Sequence, residues 1–256
     1  MKLWYNKIMD NRMHLSVIIP AYNEEKRIAA TLLDIDRYLS KQNYTYEIIV
    51  VSDGSKDNTA NVVEKTGQLV KNLRLIDNKE NHGKGYVVRQ AMLEARGEYR
   101  LFMDADNSTK IDHLDLFWPE LKDNDIVIGS IEVKGAKIDE QSAWYRRWLG
   151  SLSKYIIRIV AGIWEIHDSQ RGFKCFSEIA AEKIFPKQTI MRWGFDIEIL
   201  ALAKRMGFKI KEVPVDWHNP SESKVTLKSY LRTFMELLKI KWNLITDKYQ
   251  LKTYEN

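Results

Sequence analysis

Cysteine is almost missing from this sequence: Cys175 stands alone among 256 residues, so no intramolecular disulfide can form and no zinc site can be built on thiolates. A reducing setting follows, and the cytoplasm is the expected one. Long apolar runs are missing as well. The most apolar segment, Tyr155 to Trp164, is interrupted by Arg158 and falls short of the ~20 residues a helix needs to cross a bilayer. Met1 to His14 mixes Lys2, Lys7, Asp10 and Arg12 among its apolar residues, which suits neither a signal peptide nor a transit peptide. No transmembrane span is expected. Internal repeats, low-complexity tracts and Pro/Gly-rich linkers are absent, and no nucleic-acid-binding motif accompanies the basic residues, which argues against nucleic acid as a partner. What remains is ample for a core, with 45% hydrophobic and 11% aromatic residues. A formal charge of +5 suits anionic partners such as nucleotide or lipid phosphates.

Short β-branched runs alternate with helical patterns from Leu15 to Ser130. Strands are predicted at Leu15 to Ile19, Tyr46 to Ser52, Leu73 to Ile76, Arg100 to Met103 and Ile126 to Ile128. Helices are predicted at Ile28 to Leu39, Thr59 to Val70 and Tyr86 to Ala95, where apolar residues recur every three or four positions. The series is βαβ, and the fold class is α/β with a mostly parallel sheet flanked by helices. Beyond Ser130 the pattern predicts a basic amphipathic helix at Ala143 to Ala161, a helix at Phe195 to Met206 and a strand pair around Ile210 to Trp217. A last amphipathic helix spans Thr226 to Thr246, with Leu227, Leu231, Phe234, Leu238, Trp242 and Ile245 on one side. The organisation read from this is an α/β domain over 1–225 and a basic amphipathic helix with its tail over 226–256.

Chemistry concentrates at strand ends. Asp104-Ala105-Asp106 follows the apolar Leu101-Phe102-Met103, and in extended geometry residues two apart point to one side, so both carboxylates can face one ligand. Such oxygens suit Mg²⁺ or Mn²⁺, held by one or two carboxylates and completed by substrate phosphates. The same pair can also simply solvate a turn. Two further strand ends carry Pro20-Ala21-Tyr22-Asn23-Glu24-Glu25 and Ser52-Asp53-Gly54-Ser55-Lys56-Asp57. Each alone is an ordinary turn and helix start, but in a parallel sheet all three would converge on one crevice. The five histidines show no metal-ligand pattern.

With Asn81-His82-Gly83-Lys84-Gly85, Asp168-Ser169-Gln170-Arg171-Gly172-Phe173-Lys174 and Arg192-Trp193-Gly194-Phe195-Asp196-Ile197-Glu198, this ordered set resembles family 2 glycosyltransferases of the GT-A fold. Within them it is most similar to the dolichyl- and polyprenyl-phosphate hexosyltransferases, the glucosyltransferases nearest. The resemblance runs from about Leu15 to about Tyr249. It implies that Pro20, Tyr22, Glu24 and Asp53 hold the nucleoside, Asp104 and Asp106 the metal and diphosphate, and Lys84 or Arg89 the donor phosphates. Gln170, Arg171, Lys174 and Lys224 would bind the acceptor phosphate, with Asp104, Asp106, Arg171 and Lys174 catalytic. Arg171 departs from the smaller residue expected in the glucosyltransferase pattern.

The implied activity is inverting transfer of a hexose from a nucleotide-diphosphate sugar to a polyprenyl phosphate at the cytoplasmic face of a membrane, for glycan assembly. UDP-glucose or UDP-N-acetylglucosamine is the favoured donor, with GDP-mannose open. One alternative is a soluble transferase acting on a sugar or protein hydroxyl, which would need Asp196 or Glu198 as base. Another is a catalytically silent nucleotide-binding subunit recruited to a membrane.

Overall fold

The computed structural model describes residues 13–136, 138–139, 154–218 and 227–251. In chain order the strands are β1 (Leu15–Ala21), β2 (Tyr46–Asp53), β3 (Leu73–Asn78), β4 (Tyr99–Met103), β5 (Ile126–Ser130), β6 (Ile138–Asp139), β7 (Phe173–Ser177), β8 (Ile210–Pro214) and β9 (Trp217–His218). The helices are α1 (Ile28–Leu39), α2 (Thr59–Thr66), α3 (Lys84–Glu94), α4 (Leu114–Glu120), α5 (154–161), α6 (Glu178–Ile184), α7 (Phe195–Arg205) and α8 (Leu227–Ile245). Seven strands form one sheet in the order β3-β2-β1-β4-β7-β5-β8, and β6 pairs with β9 in a second. Every pairing in the large sheet is parallel except the two that β7 makes.

Helices on both faces explain why the central strands are apolar throughout instead of alternating. β1 and β2 are buried along their whole lengths. Side chains then sort by parity: Val17, Ile19, Ile48, Val50 and Leu101 pack against α1 and α4, while Ile18, Ile49, Val51 and Phe102 pack against α3, α6 and α7. The register sets Pro20 beside Val51 and Ile18 beside Phe102, so β1, β2 and β4 end at one edge. That edge is where a doubly wound sheet binds ligands.

The five predicted strands and the predicted helices within 28–95 and 195–206 are all present, with ends differing by a few residues. The strand pair around Ile210 to Trp217 is a correction. β8 and β9 do not pair with each other; β8 lies parallel to β5, and β9 joins β6. Pro214 has no N–H to continue a ladder, and the open flank of β5 offers Ile210–Pro214 a full parallel partner. β7 was not predicted as a strand. The helix expected over Ala143 to Ala161 lies partly outside the described residues; α5 is its C-terminal end.

The C-terminal helix shows an unexpected orientation. Leu231, Phe234, Leu238, Trp242 and Ile245, the apolar side visible in the sequence, are exposed together with Met235. The side facing the core carries Leu237, Ile240 and Leu244 instead, which join Tyr249 and Leu251 in the same apolar layer as α3 and α7. On α5, Tyr155, Ile156 and Ile159 are exposed too, as is Trp164 just after it. No helix among the described residues is long and apolar enough to cross a membrane.

Candidate active site

At the end of β2, Asp53 is buried to 3% exposure and fully engaged. One carboxylate oxygen accepts the His82 N–H at 2.7 Å; the other accepts the Gly83 N–H and the Asn81 amide, each at 2.9 Å. These bonds explain why α3 starts at Lys84, two residues before the predicted start. Gly83 has φ 106°, and a β-carbon there would overlap the Met191 carbonyl. The loop after β1 is fastened to the loop after β2. Asn23, at φ 53°, accepts the Lys56 N–H and donates its own N–H to Ser55; the Glu24 N–H donates to Thr59, and Glu25 accepts the Asn58 N–H. Pro20, Tyr22, Glu24 and Asp53 therefore stand at adjoining strand ends, with the Glu24 carboxylate paired to Arg27 at 2.7 Å.

Asp104 and Asp106 follow β4. The Lys84 ammonium meets Asp104 Oδ1 at 2.5 Å, while Asp106 Oδ1 accepts the Ser108 N–H at 3.0 Å. Thr31 of α1 donates to the Ala105 carbonyl at 2.7 Å, and Asn107, at φ 56°, donates to Asp34, so α1 dictates the turn. Gly172 lies against the Asp104 carboxylate; a β-carbon at that position would overlap it. Burial opposes the charge on Lys84, but the carboxylates of Asp104 and Asp196 outweigh it and raise its pKa. The ammonium also lies 5.8 Å from the Trp193 ring centre. Sequence reasoning assigned no role to Trp193, nor to Asn81, which a bare turn motif does not distinguish from solvated residues.

Three of the expected site residues have partners within the protein. Lys174, expected at the acceptor phosphate, has no exposed side-chain surface; its Nζ donates to Asp196 Oδ1 at 2.6 Å and to the Arg171 carbonyl. Burial lowers the Lys174 pKa and raises that of Asp196, against the attraction between them. Glu198, a candidate base, is fully buried and accepts four bonds: from the Thr189 N–H and hydroxyl, the Ile190 N–H and the Tyr249 hydroxyl. Arg89, expected at the donor phosphates, donates to the carbonyls of Phe185 and Pro186. Each meets a segment distant in sequence, Lys174 the start of α7, Glu198 the 189–190 segment and Tyr249, and Arg89 the turn after α6, which periodicity alone does not reveal. Arg171 pairs with Asp168 at 3.3 Å and lies 4.9 Å over the Trp217 ring, Gln170 is exposed, and Lys224 is outside the described residues.

The histidines have structural partners. His14 meets Glu98, His113 accepts the Asp216 N–H, His167 meets Glu212, and the backbone N–H groups of His82 and His218 donate to Asp53 and to the Ser108 carbonyl. No group of three or more His, Cys, Asp or Glu side chains that could hold a metal occurs among the described residues. Asp104 and Asp106 alone suit a hard cation that takes its other ligands from a diphosphate and water, the usual manner of Mg²⁺.

Residues 16–185 match the family described as glycosyl transferase family 2. The chain belongs to glycosyltransferase family 2. It is an enzyme, and the silent-subunit alternative is set aside. A dolichyl-phosphate beta-glucosyltransferase of Trichomonas vaginalis is 36% identical over 240 residues, covering 90% of this chain and 73% of that protein. The Homo sapiens dolichyl-phosphate beta-glucosyltransferase is 33% identical over 256 residues, 93% of this chain and 78% of its own. Among solved structures, mannosyl-3-phosphoglycerate synthase from Rubrobacter xylanophilus superposes with a TM-score of 0.69 at 15% identity, covering 94% of this chain and 76% of that one. Glucosyl-3-phosphoglycerate synthase from Mycobacterium tuberculosis, in complex with Mn²⁺, UDP-glucose and phosphoglyceric acid, gives 0.67 at 17%, covering 90% and 80%. These two likenesses establish the GT-A fold of this family 2 enzyme.

Proposed function

We propose that this chain transfers glucose, with inversion, from UDP-glucose to a polyprenyl phosphate such as dolichyl phosphate, while resting on the cytoplasmic face of a membrane. The observation that carries the donor half is the Lys84–Asp104 pair beside Asp106, where β1, β2 and β4 end together. Asp104 and Asp106 would hold Mg²⁺ or Mn²⁺, and Lys84 would pass from Asp104 to the donor phosphates. A bound divalent cation supplies charge stabilisation to the departing nucleoside diphosphate. Supporting the sugar and the acceptor are the names of the Trichomonas vaginalis and Homo sapiens relatives; supporting UDP and the cation is the complex held by the Mycobacterium tuberculosis synthase.

A phosphate monoester with a second pKa of ~6 is already a nucleophile at neutral pH, so the acceptor needs positioning more than deprotonation. The commitment of Asp196 and Glu198 to buried partners supports this over a hydroxyl acceptor needing a base. Arg171 and Gln170 are the described residues left to meet that phosphate. Purified protein with UDP-glucose and Mn²⁺ should glycosylate polyprenyl phosphate at least ~100-fold faster than the matching polyprenol, because the alcohol lacks the charge. The rate should fall as pH drops below ~6, where the acceptor takes up its second proton. Equal transfer to both lipids would overturn the acceptor assignment.

The exposed stripe of α8 supports the membrane half. Arg232, Lys239 and Lys241 are exposed around Leu231, Phe234, Leu238 and Trp242, a combination suited to anionic headgroups over an apolar layer. Replacing Leu238 and Trp242 together by glutamate should cut partitioning onto phosphatidylserine vesicles more than ~10-fold with little change in Tm, since both side chains are solvent-facing. Flotation that survives the double substitution and high salt would assign this face to something other than lipid.

A further inference from the structure

Lys174 is an unusual choice for its position. β7 lies between β4 and β5, so a residue there is enclosed by strands on both sides and by helices above, and Lys174 has no exposed side-chain surface. A charge in such a place costs several kcal/mol of desolvation, and an apolar residue of similar volume is often at least as stable. Stability therefore does not explain the lysine.

The neighbouring charges do. Lys174 Nζ donates to Asp196 Oδ1 at 2.6 Å and lies 5.2 Å from the Phe102 ring centre; the Lys84 ammonium lies 6.0 Å from the same centre. Three carboxylates attract the Lys84 ammonium: Asp104, Asp196 and Asp106. Two of these are the ones a cation would claim when the donor binds. Both ammonium groups lie against the Phe102 ring, so Asp196, hydrogen-bonded to Lys174, is the remaining carboxylate in the surroundings of Lys84, and Lys174 is its counter-charge. The second bond of Lys174, to the Arg171 carbonyl, fixes the turn that places Gly172 against the Asp104 carboxylate.

We propose that Lys174 and Asp196 form a positioning pair for the donor: Asp196 keeps the Lys84 ammonium directed at the diphosphate once Asp104 has turned to the cation, and Lys174 keeps Asp196 in place and pins the Arg171–Gly172 turn. Neither residue touches the reacting atoms. The inference rests on the nucleotide-diphosphate reading given above.

The test separates positioning from packing. Lys174→Met combined with Asp196→Val removes both charges at closely similar total volume, and its Tm should equal or exceed that of the natural chain. Calorimetric titration with UDP in Mn²⁺ should nevertheless show at least a tenfold weaker Kd, while titration with uridine, which has no phosphate, should be unchanged. Recovery of UDP affinity together with Tm would overturn the proposal and leave the pair a packing feature. Equal weakening toward uridine and UDP would overturn it as well, because a misplaced Lys84 acts on phosphates alone. Should the double variant fail to fold, Asp196→Asn decides with the same two titrations, since the amide keeps the shape and an acceptor oxygen for Lys174. An unchanged UDP to uridine affinity ratio in Asp196→Asn would then overturn it. Failure of the natural chain to bind UDP would instead sink the donor reading itself.

Discussion

Asp106→Asn should lower kcat/KM for glucosyl transfer by at least ~100-fold, about 2.7 kcal/mol of transition-state stabilisation, with Tm unchanged within about 2 °C. The fold does not depend on the negative charge. Asp106 is half-buried, and its one described bond, from the Ser108 N–H at 3.0 Å, can be accepted equally by an asparagine oxygen. On the proposed reading, what the amide would lose is the ability to share a hard cation with Asp104 and the donor's diphosphate. Titrating Mn²⁺ against initial rate should show that no concentration restores the natural turnover. Near-normal turnover at saturating Mn²⁺ would remove Asp106 from the cation site and leave Asp104 as its carboxylate.

Glu198→Ala should behave in the opposite way, losing stability and keeping its chemistry. Four donors converge on this carboxylate, two of them backbone N–H groups in the 189–190 segment and one the hydroxyl of Tyr249, whose pKa is raised by burial and by Glu198 itself. Removing the acceptor strands these groups in the core, at roughly 1 kcal/mol or more each, for a loss of about 3–5 kcal/mol. In a domain of this size that is a fall in Tm on the order of 10 °C. Well below Tm, kcat should change less than ~10-fold, whereas removal of a general base costs ~10²–10⁴. Thermal melting and single-turnover rates on one preparation distinguish the two. An unaltered Tm with a thousandfold slower reaction would return Glu198 to the role of base and reopen the hydroxyl-acceptor alternative.

The contrast between these carboxylates shows how far patterns reach. Asp53 ends one apolar strand and Asp104 and Asp106 come within three residues of the end of another, so periodicity plus the rule that parallel strands end together locates them without coordinates. Glu198 sits on a helix buried nearly all round, where no polar face exists to say which way it points. Lys174 presents the harder case. A lysine two residues after a glycine in a polar stretch reads as a loop cation, and nothing local says that Phe173–Ser177 enters the sheet antiparallel between β4 and β5.

By itself, then, the amino-acid order determined the βαβ series, the three strand-end motifs and the family, because these depend on short-range period and turn chemistry. Tertiary structure alone decided which charges meet. Long-range strand pairing inserted β7, buried Lys174 against Asp196 and closed Glu198 in the core. The helix–core contact of Leu237 and Ile240 turned the visible apolar side of α8 outward. Those outcomes depend on contacts between segments far apart in the chain, and a side chain's environment is set by what packs against it from elsewhere rather than by its neighbours in sequence.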